Sequence, residues 1–178
     1  ICSDKTGTLT RNEMTVRRVV VPDGAVDVSG IGYAPEGGLT HGGAPLESGP
    51  LQAAVERLLY SAELANNARL VKSGERWTIQ GDPTEAALIV AARKAGITRD
   101  HIDERFIRIG EMPFTSERRM MSTAHRDATN AGFIGIAAKG APDVLLGCCT
   151  HEQVGDEPRL LTEQRRAEWA KTIEALAT

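Results

Sequence analysis

Hairpin signals, rather than strand–helix alternation, limit what this chain can fold into. Met14 to Val21 holds Val16 and Val19 to Val21, β-branched residues suited to a strand. Pro22-Asp23-Gly24 then turns the chain, and Val26-Asp27-Val28 starts a return strand. A second hairpin is expected farther on. Arg105 to Ile109 reads as a strand running into Glu111-Met112-Pro113-Phe114, the polar stretch Thr115 to Arg118 turns, and Arg119 to His125 returns. Asp127 to Asn130 gives another turn, and Gly132 to Lys139 another strand. Helical periodicity covers Leu51 to Ala68, where Ala54, Leu58, Ala62 and Ala65 form one apolar stripe with Val55, Leu59 and Leu64 beside it. It also covers Thr84 to Ala95, stopped by Gly96, then Ala141 to Cys149 with Pro142 in its first turn, and Glu163 to Ala177 capped by Thr162. Arg76 to Gln80 alternates as a strand, while residues 30–50, rich in Gly and Pro, and Glu152 to Pro158 read as loops. No G-x-G-x-x-G opens a helix, which argues against a doubly wound parallel sheet. The order predicts an antiparallel or mixed sheet with helices packed on it, an α+β fold.

Composition bounds the function classes. A length of 178 residues and 41% apolar content suit a globular chain of one domain's size. A net charge of -3 without a basic stripe leaves nothing to neutralise a nucleic-acid backbone, so no nucleic-acid partner is expected. The longest strictly apolar run, Ala86 to Ala92, is far short of the roughly 20 residues that span a bilayer. Cys2, Cys148 and Cys149 lack zinc-ligand spacing and fit a reducing setting; the adjacent pair is expected to be partly buried at a helix end. His41, His101, His125 and His151 are scattered and read as isolated surface residues.

Four stretches carry chemistry. Asp4-Lys5-Thr6-Gly7-Thr8-Leu9-Thr10 sets a carboxylate beside a lysine, two hydroxyls and a glycine amide. A carboxylate so placed can attack phosphorus and form an acyl phosphate, with charge neutralised by magnesium; a polar turn after a strand is the plainer alternative. The string lies near residue 1, so most of its surrounding domain is expected outside the chain. Asp82, Pro83 and Glu85 form a capping-box pattern, which needs no ligand. Phe114 is either a core ring or, if partly exposed, a platform that stacks on a purine by roughly 1–3 kcal/mol. Arg118 and Arg119, read as opening a strand, would point to opposite faces. Lys139 ends a strand just before Gly140, which permits a close approach or a left-handed backbone.

Cys2-Ser3-Asp4-Lys5-Thr6-Gly7-Thr8-Leu9-Thr10 resembles the phosphorylation motif of the P-type cation-transporting ATPases. Three further stretches agree with that family in order and spacing: Gly81-Asp82-Pro83-Thr84-Glu85-Ala86-Ala87-Leu88, Pro113-Phe114-Thr115-Ser116-Glu117-Arg118-Arg119-Met120-Met121, and Lys139-Gly140-Ala141-Pro142. The resemblance implies a nucleotide-binding domain over residues 14–178, with residues 1–13 a remnant of the phosphorylation domain and its hinge. It implies an antiparallel sheet with flanking helices and an ATP pocket on one side.

Within that resemblance, Glu85 lies in the adenine pocket, Phe114 stacks on adenine, Arg119 approaches the phosphates, Lys139 sits beside adenine and ribose, and Gly140 and Ala141 line the floor. Glu85, Phe114 and Lys139 are expected to converge on one cavity. Asp4 is the aspartate phosphorylated in the intact protein, with Lys5 and Thr6 beside it; Asp4 and Thr6 lie near magnesium there, and the isolated chain holds no metal. Ser116 departs from the pattern, since animal calcium pumps carry arginine at the matching position.

The implied partners are ATP and the phosphorylation, actuator and transmembrane domains of the same parent chain. The implied setting is the cytoplasmic part of an integral membrane protein, in the plasma membrane of a bacterium or archaeon. The implied parent activity is ATP-driven cation transport of the calcium-pump type. The isolated chain is expected to be monomeric and to bind ATP without hydrolysing it, because the family's Thr-Gly-Asp and Gly-Asp-Gly strings do not occur. Two alternatives stay open: a soluble aspartate-nucleophile phosphatase or phosphotransferase, and an interaction module that binds no nucleotide.

Overall fold

Val19 and Val21 alternate with outward-facing neighbours along strand β1 (Arg18–Val21), and Val26 and Val28 do the same along β2 (Gly24–Val28). The antiparallel register pairs Val19 with Val26, so all four valines share one face. The computed structural model describes residues 13–177. Two short strands, β3 (Leu39–His41) and β4 (Ala44–Pro45), extend this sheet in the order β1-β2-β3-β4. Residues 30–50 are therefore not a bare loop, and Tyr33 from that stretch packs against Ala68, Ala86 and Ile89.

Helix α1 (Pro50–Leu64) covers the valine face with Ala54, Val55 and Leu59. It is shorter than the periodicity predicted, and Leu58 of the expected stripe is exposed. The buried edge of α1 includes an acid, Glu63, whose Oε1 accepts from Arg93 Nη2 at 3.1 Å. Strands β5 (Arg69–Ser73) and β6 (Arg76–Gln80) form a hairpin ahead of α2 (Pro83–Lys94). Along α2, Ala86, Ala87, Ile89, Val90, Ala91 and Ala92 are buried. The small side chains let this helix lie close to its neighbours.

The chain divides into two compact units, Ile1–His101 and Ile102–Thr178. A short helix, α3 (Arg99–Arg105), leads from one to the other and was not apparent in the sequence pattern. In the second unit, β7 (Phe106–Met112), β8 (Met120–Asp127) and β9 (Ile134–Gly140) form an antiparallel sheet in that order, with a bulge between Arg108 and Gly110. Helix α4 (Pro142–Cys148) follows, then a hairpin of β10 (His151–Val154) and β11 (Glu157–Leu160), then α5 (Glu163–Leu176). The β10–β11 hairpin occupies the stretch expected to be loop. Every strand pairing among the described residues is antiparallel, so the α+β expectation, with helices flanking antiparallel sheets, holds.

The buried row of β8 is Met121, Thr123, His125 and Asp127. His125 is thus not a surface histidine: it is 1% exposed, and its Nε2 lies 2.9 Å from Thr123 Oγ1. The expectation failed because period-two alternation on β8 turns every odd-numbered residue inward whatever its polarity. His41 and His151 are exposed as expected, and the His101 side chain lies outside the described set. Cys148 and Cys149 are both exposed, contrary to expectation, because α4 buries none of its residues. Polar anchors hold α5: Thr162 Oγ1 accepts Arg165 N, Glu152 accepts from Arg165 Nε at 2.7 Å and Trp169 Nε1 at 2.9 Å, and Arg166 donates to the carbonyls of Leu146 and Cys149.

Candidate functional site

Pro113 has no amide to donate, so the ladder of β7 ends ahead of it and the chain turns. Thr115 organises that turn. Its Oγ1 accepts Arg118 N at 3.2 Å and its carbonyl accepts Arg119 N at 2.8 Å. The Thr115 hydroxyl also helps hold the Glu117 carboxyl below the usual range, after Glu117's own backbone amide. Phe114 stands on this turn with 59% of its surface exposed. An aromatic ring so open is not a core residue.

Arg119 closes the turn with φ 51°, the one positive φ at a described non-glycine residue. For a long L side chain that region costs roughly 1–2 kcal/mol. Strand β8 begins only at Met120, so the expected alternation of Arg118 and Arg119 does not apply. Arg118 instead folds back, its Nη1 donating to Pro113 O at 3.3 Å. Arg119 Nη2 donates to Asp143 Oδ2 at 2.6 Å, and this guanidinium is the main reason the Asp143 carboxyl lies below its ordinary range.

The end of β9 meets this turn. Met120 pairs with Gly140 and Met121 with Lys139, and the Ala141 amide donates to Arg119 O at 2.8 Å. A Cβ on Gly140 would lie 2.4 Å from Arg119 O and 2.5 Å from Met120 Cβ, so only glycine fits without moving the turn. Of the two uses foreseen for Gly140, the close approach is the one observed. Lys139, half-buried, shares a face with Met121. Phe114, Arg119, Lys139, Gly140 and Ala141 thus gather at one end of the β7-β8-β9 sheet.

Glu85 belongs to the first unit. Asp82 caps α2 as expected, its Oδ1 accepting from Thr84 N at 2.8 Å and Glu85 N at 3.2 Å. Glu85 Oε2 accepts the Asn67 amide at 2.8 Å, and its carbonyl accepts from Asn66 Nδ2 at 2.9 Å. At least one carboxylate oxygen therefore ties α2 to the connection between α1 and β5. Gly81, with φ 109°, lets that corner close: a Cβ there would stand 2.9 Å from Ala68 Cα.

Asp4, Lys5 and Thr6 lie outside the described residues. Among the described residues no group of three or more His, Cys, Asp or Glu side chains could hold a metal ion. Also among them, no helix is long and apolar enough to cross a membrane. Sequence reasoning missed Asp143. The signal was an acid in the first turn of a helix directly after Lys139-Gly140-Ala141-Pro142, at the end of a strand that pairs with the one following Arg119.

The family model for the P-type ATPase cytoplasmic domain N matches residues 54–178. The chain is 41% identical over 157 residues to the probable cation-transporting ATPase F of Mycobacterium tuberculosis, covering 88% of this chain and 17% of that protein. It is 36% identical over 181 residues to a calcium-transporting ATPase of Bacillus subtilis, covering 100% of this chain and 20% of the relative. It is 37% identical over 169 residues to the Homo sapiens calcium-transporting ATPase type 2C member 1, covering 93% and 18%. The chain spans about a fifth of the length of these curated relatives.

Proposed function

The chain belongs to the P-type cation-transporting ATPase family, and from that premise we propose that it is the part of its parent protein that captures ATP. The Phe114 ring stacks on adenine. Arg119 meets the phosphates, Lys139 flanks base and ribose, and Gly140 and Ala141 form the floor. Glu85 enters through the resemblance, and its own variant tests it.

The observation that carries the reading is the open ring of Phe114 on the same strained turn as Arg119, braced by a position where only glycine fits. A turn built this tightly around an exposed aromatic ring and a guanidinium favours a planar, anionic ligand.

In the parent, Asp4 takes the phosphoryl group as an acyl phosphate, beside Lys5 and Thr6. The phosphorylation, actuator and transmembrane domains couple that step to moving a cation across a plasma membrane. Magnesium near Asp4 and Thr6 supplies charge neutralisation when bound. The calcium-transporting relatives support a calcium-pump-like parent, which we take to be bacterial or archaeal.

Titration calorimetry with ATP tests the reading. The intact chain releases heat, and Phe114→Ala weakens binding by about tenfold or more, the size expected for losing one base–aromatic stack. Lys139→Ala and Glu85→Ala each weaken it from the same wild-type baseline. No heat at millimolar ATP favours the interaction module. Acid-stable labelled phosphate on the isolated chain contradicts the division between capture here and transfer elsewhere.

A further inference from the structure

Asp143 was assigned no role by the sequence, yet it holds the guanidinium that the nucleotide reading gives to the phosphates. We propose that Asp143 is a built-in competitor for that ligand: its carboxylate occupies Arg119 until a polyphosphate displaces it, and so sets how strongly the site distinguishes ATP from ligands with fewer phosphates. This inference rests on the nucleotide reading above and names a control on that same site.

Three observations carry it. Arg119 Nη2 meets Asp143 Oδ2 at 2.6 Å, the geometry a guanidinium adopts with any oxyanion, phosphate included. Both side chains are open to solvent, 53% and 62% exposed, so the pair is weak and either group can exchange its partner without being stranded in a dry interior. Arg119 is also held in the left-handed region, which arginine does not seek for itself. The Thr115 carbonyl, the Ala141 amide and the missing Cβ of Gly140 fix that backbone. Strain maintained by independent contacts around one cationic side chain belongs to a working site rather than to a surface ion pair formed by chance.

The consequence follows from charge. A polyphosphate brings several negative charges, outcompetes one carboxylate, and then feels Asp143 as a like-charged neighbour. Adenosine brings none and neither gains nor loses from the exchange. Asp143 thus subtracts from the affinity of every phosphorylated ligand and leaves the base contacts alone.

The test is calorimetry on the full 178-residue chain with adenosine, ADP, ATP and inorganic triphosphate, for wild type, Asp143→Asn, Arg119→Ala and the double variant. Asp143→Asn is expected to tighten ATP and triphosphate by about two- to fivefold, the scale of an exposed ion pair, and to leave adenosine unchanged. In the Arg119→Ala background the same change should give a clearly smaller gain, because the ion pair is gone and only the like-charge repulsion remains. Asp143→Ser gives the same readout should the asparagine variant fold poorly. Unchanged or weaker ATP binding by Asp143→Asn, or an equal gain for adenosine, overturns the competitor role while adenosine binding leaves the nucleotide site standing. Wild type that binds neither adenosine nor ATP overturns the nucleotide reading, and this inference with it.

Discussion

The unit up to His101 and the unit from Ile102 solve the burial problem in opposite ways. The first closes an aliphatic core in which Val19, Val21, Val26 and Val28 on the sheet meet Ala54, Val55, Leu59, Ala91 and Ala92 on two helices. The second turns a polar row inward on β8, with Thr123, His125 and Asp127 beside Met121, and leaves Ile107, Ile109, Ile134 and Ile136 exposed. Its last helix is fastened by carboxylate–guanidinium and indole–carboxylate bonds rather than by apolar area. The residues proposed to bind nucleotide, Glu85 apart, lie in the unit held by polar contacts. A scaffold built on directional bonds can hold a strained turn such as Thr115 to Arg119 in one geometry. An aliphatic core supplies stability without that direction.

The comparison breaks most easily at the aliphatic core. Leu59→Ala is expected to destabilise the first unit by about 2–5 kcal/mol, because a fully packed leucine leaves a cavity that its neighbours fill only in part. Chemical denaturation with a probe in each unit checks this. An equal loss for Ile136→Ala would erase the contrast, since Ile136 is 73% exposed. Next in size is Gly140→Val. Its branched side chain collides with the Arg119–Met120 backbone, so ATP affinity should fall by about tenfold or more, the value of losing at least one positioned contact, while the first unit keeps its denaturation midpoint.

A smaller, pH-dependent effect comes from Asp127. Arg105 donates to its carboxylate at 3.0 Å, and Thr129 donates from both its amide and its hydroxyl. Those bonds, Arg105 first, hold the carboxyl at about 2 against an ordinary 3.8. A depressed folded value means that the stabilisation is complete above the ordinary value and is lost as pH falls through about 2. Melting curves of wild type and Asp127→Asn should therefore differ by several degrees at neutral pH and converge in acid. A constant gap across that range would remove the ionised carboxylate from the account. Smallest of all is Ile136→Thr, expected to shift stability by less than about 0.5 kcal/mol and to reduce binding of a hydrophobic dye to the open sheet face.

The sequence was most readable where local chemistry and packing agree. Asp82, Pro83 and Gly96 mark both ends of α2, and Thr162 marks the start of α5, because a cap is written in the residues that make it. Strands β3 and β4 were hidden, since three- and two-residue strands exist only through their partners and carry no periodicity of their own. The β10–β11 hairpin does carry one local signal, the two-residue turn Gly155-Asp156, but its strands are too polar to read as strands. Family-like strings located Phe114, Lys139 and Gly140. They said nothing of Asp143, whose proposed role depends on where Arg119 points. That direction is set by a left-handed residue that no local pattern announces.

The most direct measurement is an amide-resolved NMR titration of the chain with ATP. Residues 114–119 and 139–141 are predicted to shift together and saturably, with β1 and β2 unmoved. Shifts confined to the valine-faced sheet, or none at millimolar ATP, would contradict a nucleotide site at that end of the second sheet.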